Sequence, residues 1–137
     1  LPGSGAAGGL GGGLVAFLDA KLKPGIDVVL ETLGIEEKLN GVDLAISGEG
    51  KIDGQTIFGK GPAGIAKKVK EKNIPVILFG GSVDDDAEIL KEEGLVDAIF
   101  SITRGPVSLE ESIKHTRGQL EWISYQIGGL IKALTSK

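Results

Sequence analysis

Three short runs that stay apolar from end to end constrain this chain more than any other feature: VDLAIS at residues 42–47, PVILFG at 75–80 and AIFSI at 98–102. Such runs, with little or no polar alternation, suit strands buried on both faces, as in parallel sheets covered by helices. Between the first two, PAGIAKKVK opens with a proline at a first helical position and sets Ile65, Ala66 and Val69 on one face among lysines. Between the second and third, residues 87–93 read as a short helix stopped by Gly94. After the third, SLEE matches a capping box beginning at Ser108, and Ile113, Leu120, Ile123, Ile127, Leu130, Ile131 and Leu134 recur at helical spacing. Strand, loop and helix in threefold succession imply parallel strands joined by right-handed crossovers. The expected fold class is therefore α/β, a doubly wound, mostly parallel sheet of the Rossmann- or flavodoxin-like three-layer kind. Residues 6–21 add a helix of small residues, and residues 27–30 a strand or extended piece.

The length of 137 residues suits one such unit, so residues 1–137 are expected to lie in a single domain. Fifteen basic against 19 acidic residues, with no basic stretch interleaved with aromatics, argue against a nucleic-acid or anionic-membrane partner. The absence of cysteine removes disulfides, thiol catalysis and thiolate metal sites. No apolar run approaches the roughly 18 residues of a membrane span, and a soluble cytoplasmic protein is the expectation. The chain opens LPGSGAAGG, with neither an initiator methionine nor a preceding strand, and is expected to be a fragment.

In open parallel sheets, ligands bind beyond the carboxyl ends of the strands. The stretch GEGKIDGQTIFGKG leaves the first strand there, as do GGSVDDD and TRGPVS after the other two, so all three should face one crevice. Glycines let backbone amides approach an anion, and Lys51 or Lys60 adds charge for a phosphate. Glu49 and Asp53 are hard-oxygen groups suited to Mg²⁺ or to accepting a proton from an alcohol, and Gln55 and Thr56 suit a polyol or carboxylate. GQTIFGKG matches the Walker A spacing up to its lysine, but Gly61 stands where a Ser or Thr should hold the metal. GSGAAG at residues 3–8 suits an anion site at a helix start better than a dinucleotide fingerprint, since no strand precedes it. Asp84, Asp85 and Asp86 read as charges at the next helix N-terminus, with metal ligation or a phospho-accepting, receiver-like domain as the alternative. His115, Trp122 and Tyr125 read as surface, packing or rim residues. Arg104 divides between anion binding and a structural role.

These stretches resemble a known family. GSGAAGGLGGGLVAFLDAKLKPGID, DLAISGEGKIDGQT with GKGP after it, and PVILFGGSV are similar, in order, to the C-terminal portion of bacterial class I glycerate kinases. The resemblance implies transfer of the γ-phosphoryl group of ATP to D-glycerate with Mg²⁺, giving 2-phosphoglycerate, or else 3-phosphoglycerate. It also implies that the fold is incomplete, that the missing N-terminal segment of the same protein is a partner, and that the isolated chain is inactive. Substrate and phosphate contacts then fall on Gly3, Ser4, Gly5, Gly48, Gly50, Gln55, Thr56 and Lys60. Asp53, Glu49 and Lys51 carry the chemistry, with Asp53 and then Glu49 as base or metal carboxylate. The competing reading is a nucleotide- or small-molecule-binding module without catalysis.

Overall fold

The computed structural model describes residues 1–58 and 61–136. Its contacts divide the chain into a first unit, Leu1–Lys38, and a second, Leu39–Lys137.

The second unit holds the sheet. Strands β1 (Ala45–Ile52), β2 (Val76–Val83) and β3 (Ala98–Ser101) pair in parallel in the order β1-β2-β3. This is the α/β arrangement that the three apolar runs imply. Both long strands continue past their apolar runs, however. The ladder carries Gly48 against Phe79, Glu49 against Gly80 and Lys51 against Ser82, and ends with Ile52 against Val83. Residues 48–51, expected as loop, are therefore strand. Absent side chains permit this: a Cβ on Gly48 would collide with the Phe79 carbonyl oxygen, and one on Gly81 would lie 2.5 Å from the Gly50 carbonyl oxygen.

Helices cover both faces. On one side, α6 (Leu109–Thr135) places Ile123 and Ile127 against Phe79 and Ile102, with Ile77 and Phe100 beside them. The Phe79 and Phe100 rings meet edge to face at 6.3 Å. Side chains alternate along a strand, so Val76 and Leu78 turn to the opposite face, where α4 (Pro62–Lys70) packs against β1 and β2 through buried Ala63, Ala66 and Val69. Pro62 stands at the start of α4, as expected, while Ile65 is only half-buried. Between β2 and β3, the expected helix is a 3-10 turn, Asp85–Glu88, followed by one turn of α5 (Ile89–Glu92), whose Leu90 is fully buried. Gly94 ends it at φ +68°, donating to the Lys91 carbonyl.

The α6 start follows its sequence signal. Ser108 Oγ accepts the Glu111 amide proton at 3.2 Å, and the Ser108 hydroxyl faces the Glu111 carboxylate at 3.4 Å. Its apolar residues do not all go inside, as only Ile123 and Ile127 are buried among them, whereas Ile113, Leu130 and Leu134 are mostly exposed. Helical spacing reports that a stripe exists and leaves its partner unspecified.

At the opposite end of the sheet, Asp97 ties three elements together. Its carboxylate accepts the Val76 amide proton at 2.7 Å and pairs with Lys70 at 2.8 Å. The Lys70 hydrogen bond, reinforced by that amide, holds the Asp97 carboxyl below its usual range against the opposing effect of burial. A lowered folded-state pKa contributes stability that is full above the unfolded value near ~3.9 and is lost as pH falls through the folded one. Asp97→Ala orphans the amide of nearly inaccessible Val76, at an expected cost of about 1–2 kcal/mol, mostly from that amide because the ion pair is solvent-exposed. Urea unfolding should show the loss at pH 7 and a gap between the two proteins that narrows as pH falls below ~3.9.

In the first unit, α1 (Ala6–Leu18) is interrupted by left-handed Ala7, Gly8 and Gly9, and it ends at Asp19, φ +52°, short of the expected residue 21. Residues 27–30, expected to be extended, lie in α2 (Gly25–Thr32). Pro24 precedes this helix, Asp27 lies in its first turn, the Thr32 hydroxyl donates to the Val28 carbonyl, and Lys23 pairs with Glu31 at 2.7 Å. A four-residue apolar run containing two valines does not separate strand from helix, and these local bonds decide for helix. A short α3 (Ile35–Lys38) closes the unit. Among the described residues, no helix is long and apolar enough to cross a membrane.

Candidate functional site

Because β1 and β2 run on together to Ile52 and Val83, the next residue of each strand is an aspartate, and the Asp84 amide donates to the Ile52 carbonyl at 2.9 Å. Asp53 and Asp84 thus stand side by side at the carboxyl edge. Lys51 bridges them, with its ammonium 3.2 Å from Asp53 Oδ2 and 2.7 Å from Asp84 Oδ2. The Asp84 hydrogen bond, then that to Asp53, raises the Lys51 pKa above its ordinary value. The Lys51 hydrogen bond in turn holds Asp53 below the usual carboxylate range, with help from the Gln55 and Thr56 amides and against some desolvation. At neutral pH the trio is one cation between two anions.

The turn after β1 is built around Asp53. Its Oδ1 accepts the Gln55 amide proton at 3.0 Å, the Thr56 amide donates to the Asp53 carbonyl at 3.0 Å, and the Asp53 amide donates to Thr56 Oγ1 at 3.2 Å. Thr56, expected to face a ligand, is buried and braces this turn, whereas Gln55 is exposed. Asp86 lies against Gly54, 2.9 Å from where a side chain on that glycine would begin. A 3-10 turn, Thr56–Phe58, follows. Gly54 comes only two residues after β1, closer than the apolar run implied, but the 3-10 turn separates it from α4. Lys60 lies outside the described residues.

The Asp84 side chain makes no capping hydrogen bond, contrary to the expectation from the acidic run, and spends its carboxylate on Lys51. Among the described residues, no group of three or more His, Asp or Glu side chains is placed to hold a metal. Glu49 does retain one unused acceptor, since its Oε1 is buried with no hydrogen-bond partner. Mg²⁺ in phosphoryl-transfer sites takes one or two carboxylates and fills its other positions with phosphate and water, so either Glu49 or Asp53 alone suits that role, although four residues of extended strand keep the two from sharing one ion.

Beside the trio runs a groove of about 1160 Å³, lined by residues 46–51 of β1, Gly81 and Ser82 of β2, residues 105–107 after β3, and Leu109, Ile113 and Leu120 of α6. Residues near all three strand ends line this groove, but Asp53, Gln55, Thr56 and Asp84 are not among them. Its floor, from Ile46, Phe79 and Ile102, is apolar; Lys51, Glu49, Ser82 and Thr103 are among its polar residues. Arg104 stacks over the Trp122 ring at 5.2 Å, so the structural role weighed for it is realised. Tyr125 is exposed. In the first unit, the turn at residues 3–5 keeps its amides occupied in part: Ser4 donates to the Leu1 carbonyl and Ala6 to the Gly3 carbonyl.

The profile of the glycerate kinase family matches residues 1–132. The chain belongs to the glycerate kinase family. It is 42% identical to the glycerate kinase of Bacillus cereus over its whole length and 36% of that protein's. With the glycerate kinase of Bacillus subtilis it shares 45% identity over 95% of this chain and 34% of the other, and with the glycerate 2-kinase of Escherichia coli 44% over 83% and 30%. A crystal structure ascribed to a glycerate kinase 2 from Salmonella typhimurium LT2 superposes with a TM-score of 0.71 at 37% identity, covering 98% of this chain and 34% of that one. The chain thus spans about a third of the length of the glycerate kinases it matches. That structural likeness agrees with an α/β domain of which these three strands are a part.

The sequence singles out Lys51, Glu49 and Asp53 as candidates, whereas its acidic run points Asp84 to a helix cap. A signal was present: Asp84 follows the second apolar stretch and its GGSV extension as Asp53 follows the first and its GEGKI extension. Only the register reveals the equivalence.

Proposed function

We propose that the protein to which this chain belongs transfers the γ-phosphoryl group of ATP to a hydroxyl of D-glycerate, giving 2-phosphoglycerate. The observation that carries this reading is the trio of Asp53, Lys51 and Asp84, set at the carboxyl edge beside an apolar groove. Family membership and the relative named glycerate 2-kinase support the reaction and the position of transfer.

Phosphoryl transfer asks a protein mainly for positioning and charge stabilisation. Asp53 receives the proton of the attacking hydroxyl. Its depressed pKa keeps it ionised at every working pH, and a weak base suffices because little proton transfer precedes bond cleavage in a loose transition state. Lys51 exchanges one of its two carboxylates for an oxygen of the transferred group and neutralises charge developing there. Lys60 contributes a second charge, and Gly48, Gly50 and Gln55 supply close backbone and amide contact to substrate. Thr56 acts by holding Asp53 in place. Mg²⁺, held by Asp53 or by Glu49, would offset the negative charge of the phosphates. For the first unit we propose phosphate contact at Gly3, Ser4 and Gly5. The reaction needs the remainder of the protein, since the chain spans a third of its relatives.

The test is glycerate-dependent ADP release from Mg·ATP, with the product hydroxyl assigned by ³¹P NMR. The chain alone is expected to be inactive, and addition of the N-terminal segment should restore turnover. Persistent inactivity with folded material and the segment supplied would favour a binding module.

A further inference from the structure

The reaction gives Asp53 and Lys51 a task each and Asp84 none. Yet the Asp84 backbone is fixed from both sides, its amide donating to the Ile52 carbonyl at 2.9 Å and its carbonyl accepting the Ala87 amide proton at 3.1 Å. Its backbone is extended before the 3-10 turn, and its carboxylate caps nothing there. Among the described residues that carboxylate has one partner, the Lys51 ammonium at 2.7 Å. Asp53, at 3.2 Å, is the more distant of the lysine's two partners and also holds the Gln55 amide through Oδ1. Lys51 and Asp84 are both about half exposed, so their pairing adds little to stability. A lysine on its flexible four-carbon stem, in contrast, keeps no fixed position unless something holds its charge.

We propose that Asp84 is a positioning residue for phosphoryl transfer: it anchors the Lys51 ammonium at the strand ends, so that the bond Lys51 gives up to the transferred group is the one to Asp53. The inference rests on the reading that Lys51 meets that group. Two carboxylates at one cation then divide the work. As the ammonium turns towards a phosphoryl oxygen it keeps its shorter bond, and Asp53 is left free to face the hydroxyl. The hydroxyl oxygen forms its bond to phosphorus as the bond to ADP breaks, and its proton passes to Asp53. Lys51 is then matched by Asp84 alone. Without Asp84, Lys51 would rest on Asp53 and cover the base.

Asp84→Asn in the full-length protein keeps the shape and an acceptor for Lys51 while removing the charge. Its kcat should fall about tenfold or more, with KM for glycerate and for ATP within about threefold of the wild type, since Asp84 touches neither. Asp84→Glu restores the charge and should recover kcat to within about threefold of the wild type. Neither change should move the urea midpoint, because the pair is exposed. The decisive variant combines Asp84→Asn with Lys51→Gln. A residue that acts only through Lys51 costs nothing further once Lys51 is gone, so the double variant should match Lys51→Gln within about twofold. A residue that merely braces the strand ends would multiply its loss onto that of Lys51→Gln. Wild-type protein without glycerate-dependent turnover would overturn the phosphoryl-transfer reading and this inference with it. With an active wild type, a smaller loss for Asp84→Asn, no recovery in Asp84→Glu, or a double variant slower than Lys51→Gln would overturn the inference alone.

Discussion

Asp53→Asn in the full-length enzyme is expected to lower kcat by about 100-fold or more, equivalent to about 2.7 kcal/mol of transition-state stabilisation, while moving KM for glycerate little. The change retains the acceptor at Oδ1 for the Gln55 amide, so the turn persists, and it removes the charge that faces Lys51. A loss below about threefold would mean that Asp53 neither receives the proton nor orders the site. The pH profile adds an independent reading. Asp53 is held below the ordinary range first by its hydrogen bond to Lys51, so the acid limb it controls lies below ~3.9 and activity should be flat in this respect from pH 5 to 8. Lys51→Gln removes the leading cause of the depression and should move that limb up towards the ordinary value, in addition to slowing transfer.

Gly48→Ala is expected to destabilise the protein by about 3 kcal/mol or more, at the upper end of what overpacking costs, because the new methyl has no room beside the Phe79 carbonyl. The obstacle is the backbone of the paired strand, which cannot rotate away as a side chain would. Gly50, two residues on, has nothing within 4 Å of the equivalent position, and Gly50→Ala should stay within about 0.5 kcal/mol. Urea midpoints of the two variants decide the matter, since they differ only in what faces the added carbon. Comparable losses for both would mean that intrinsic glycine flexibility, rather than the close approach of β1 and β2, accounts for GEG in the strand.

These glycines mark where sequence reading stopped short. GEGKI has the composition of a loop, and Gly and Lys are poor strand formers, so local preference ends β1 at Ser47. Tertiary pairing overrides it, because β2 offers an equally glycine-rich partner in GGSV and the two backbones close on each other. A similar limit applies to α2, where two valines suggest extension and local bonds, Thr32 to the Val28 carbonyl and Lys23 to Glu31, accompany a helix. The Ser108 cap, the Pro62 start and the Gly94 stop were legible because each depends on bonds within four residues of chain.

The sequence by itself determined the three strands, the helices between and after them, and the family, since periodicity, caps and short motifs are properties of neighbouring residues. Only the tertiary structure decided that β1 and β2 end together and that Asp84 therefore shares Lys51 with Asp53. Those facts depend on strand register, and residues distant along the chain meet only once the backbone is paired and packed.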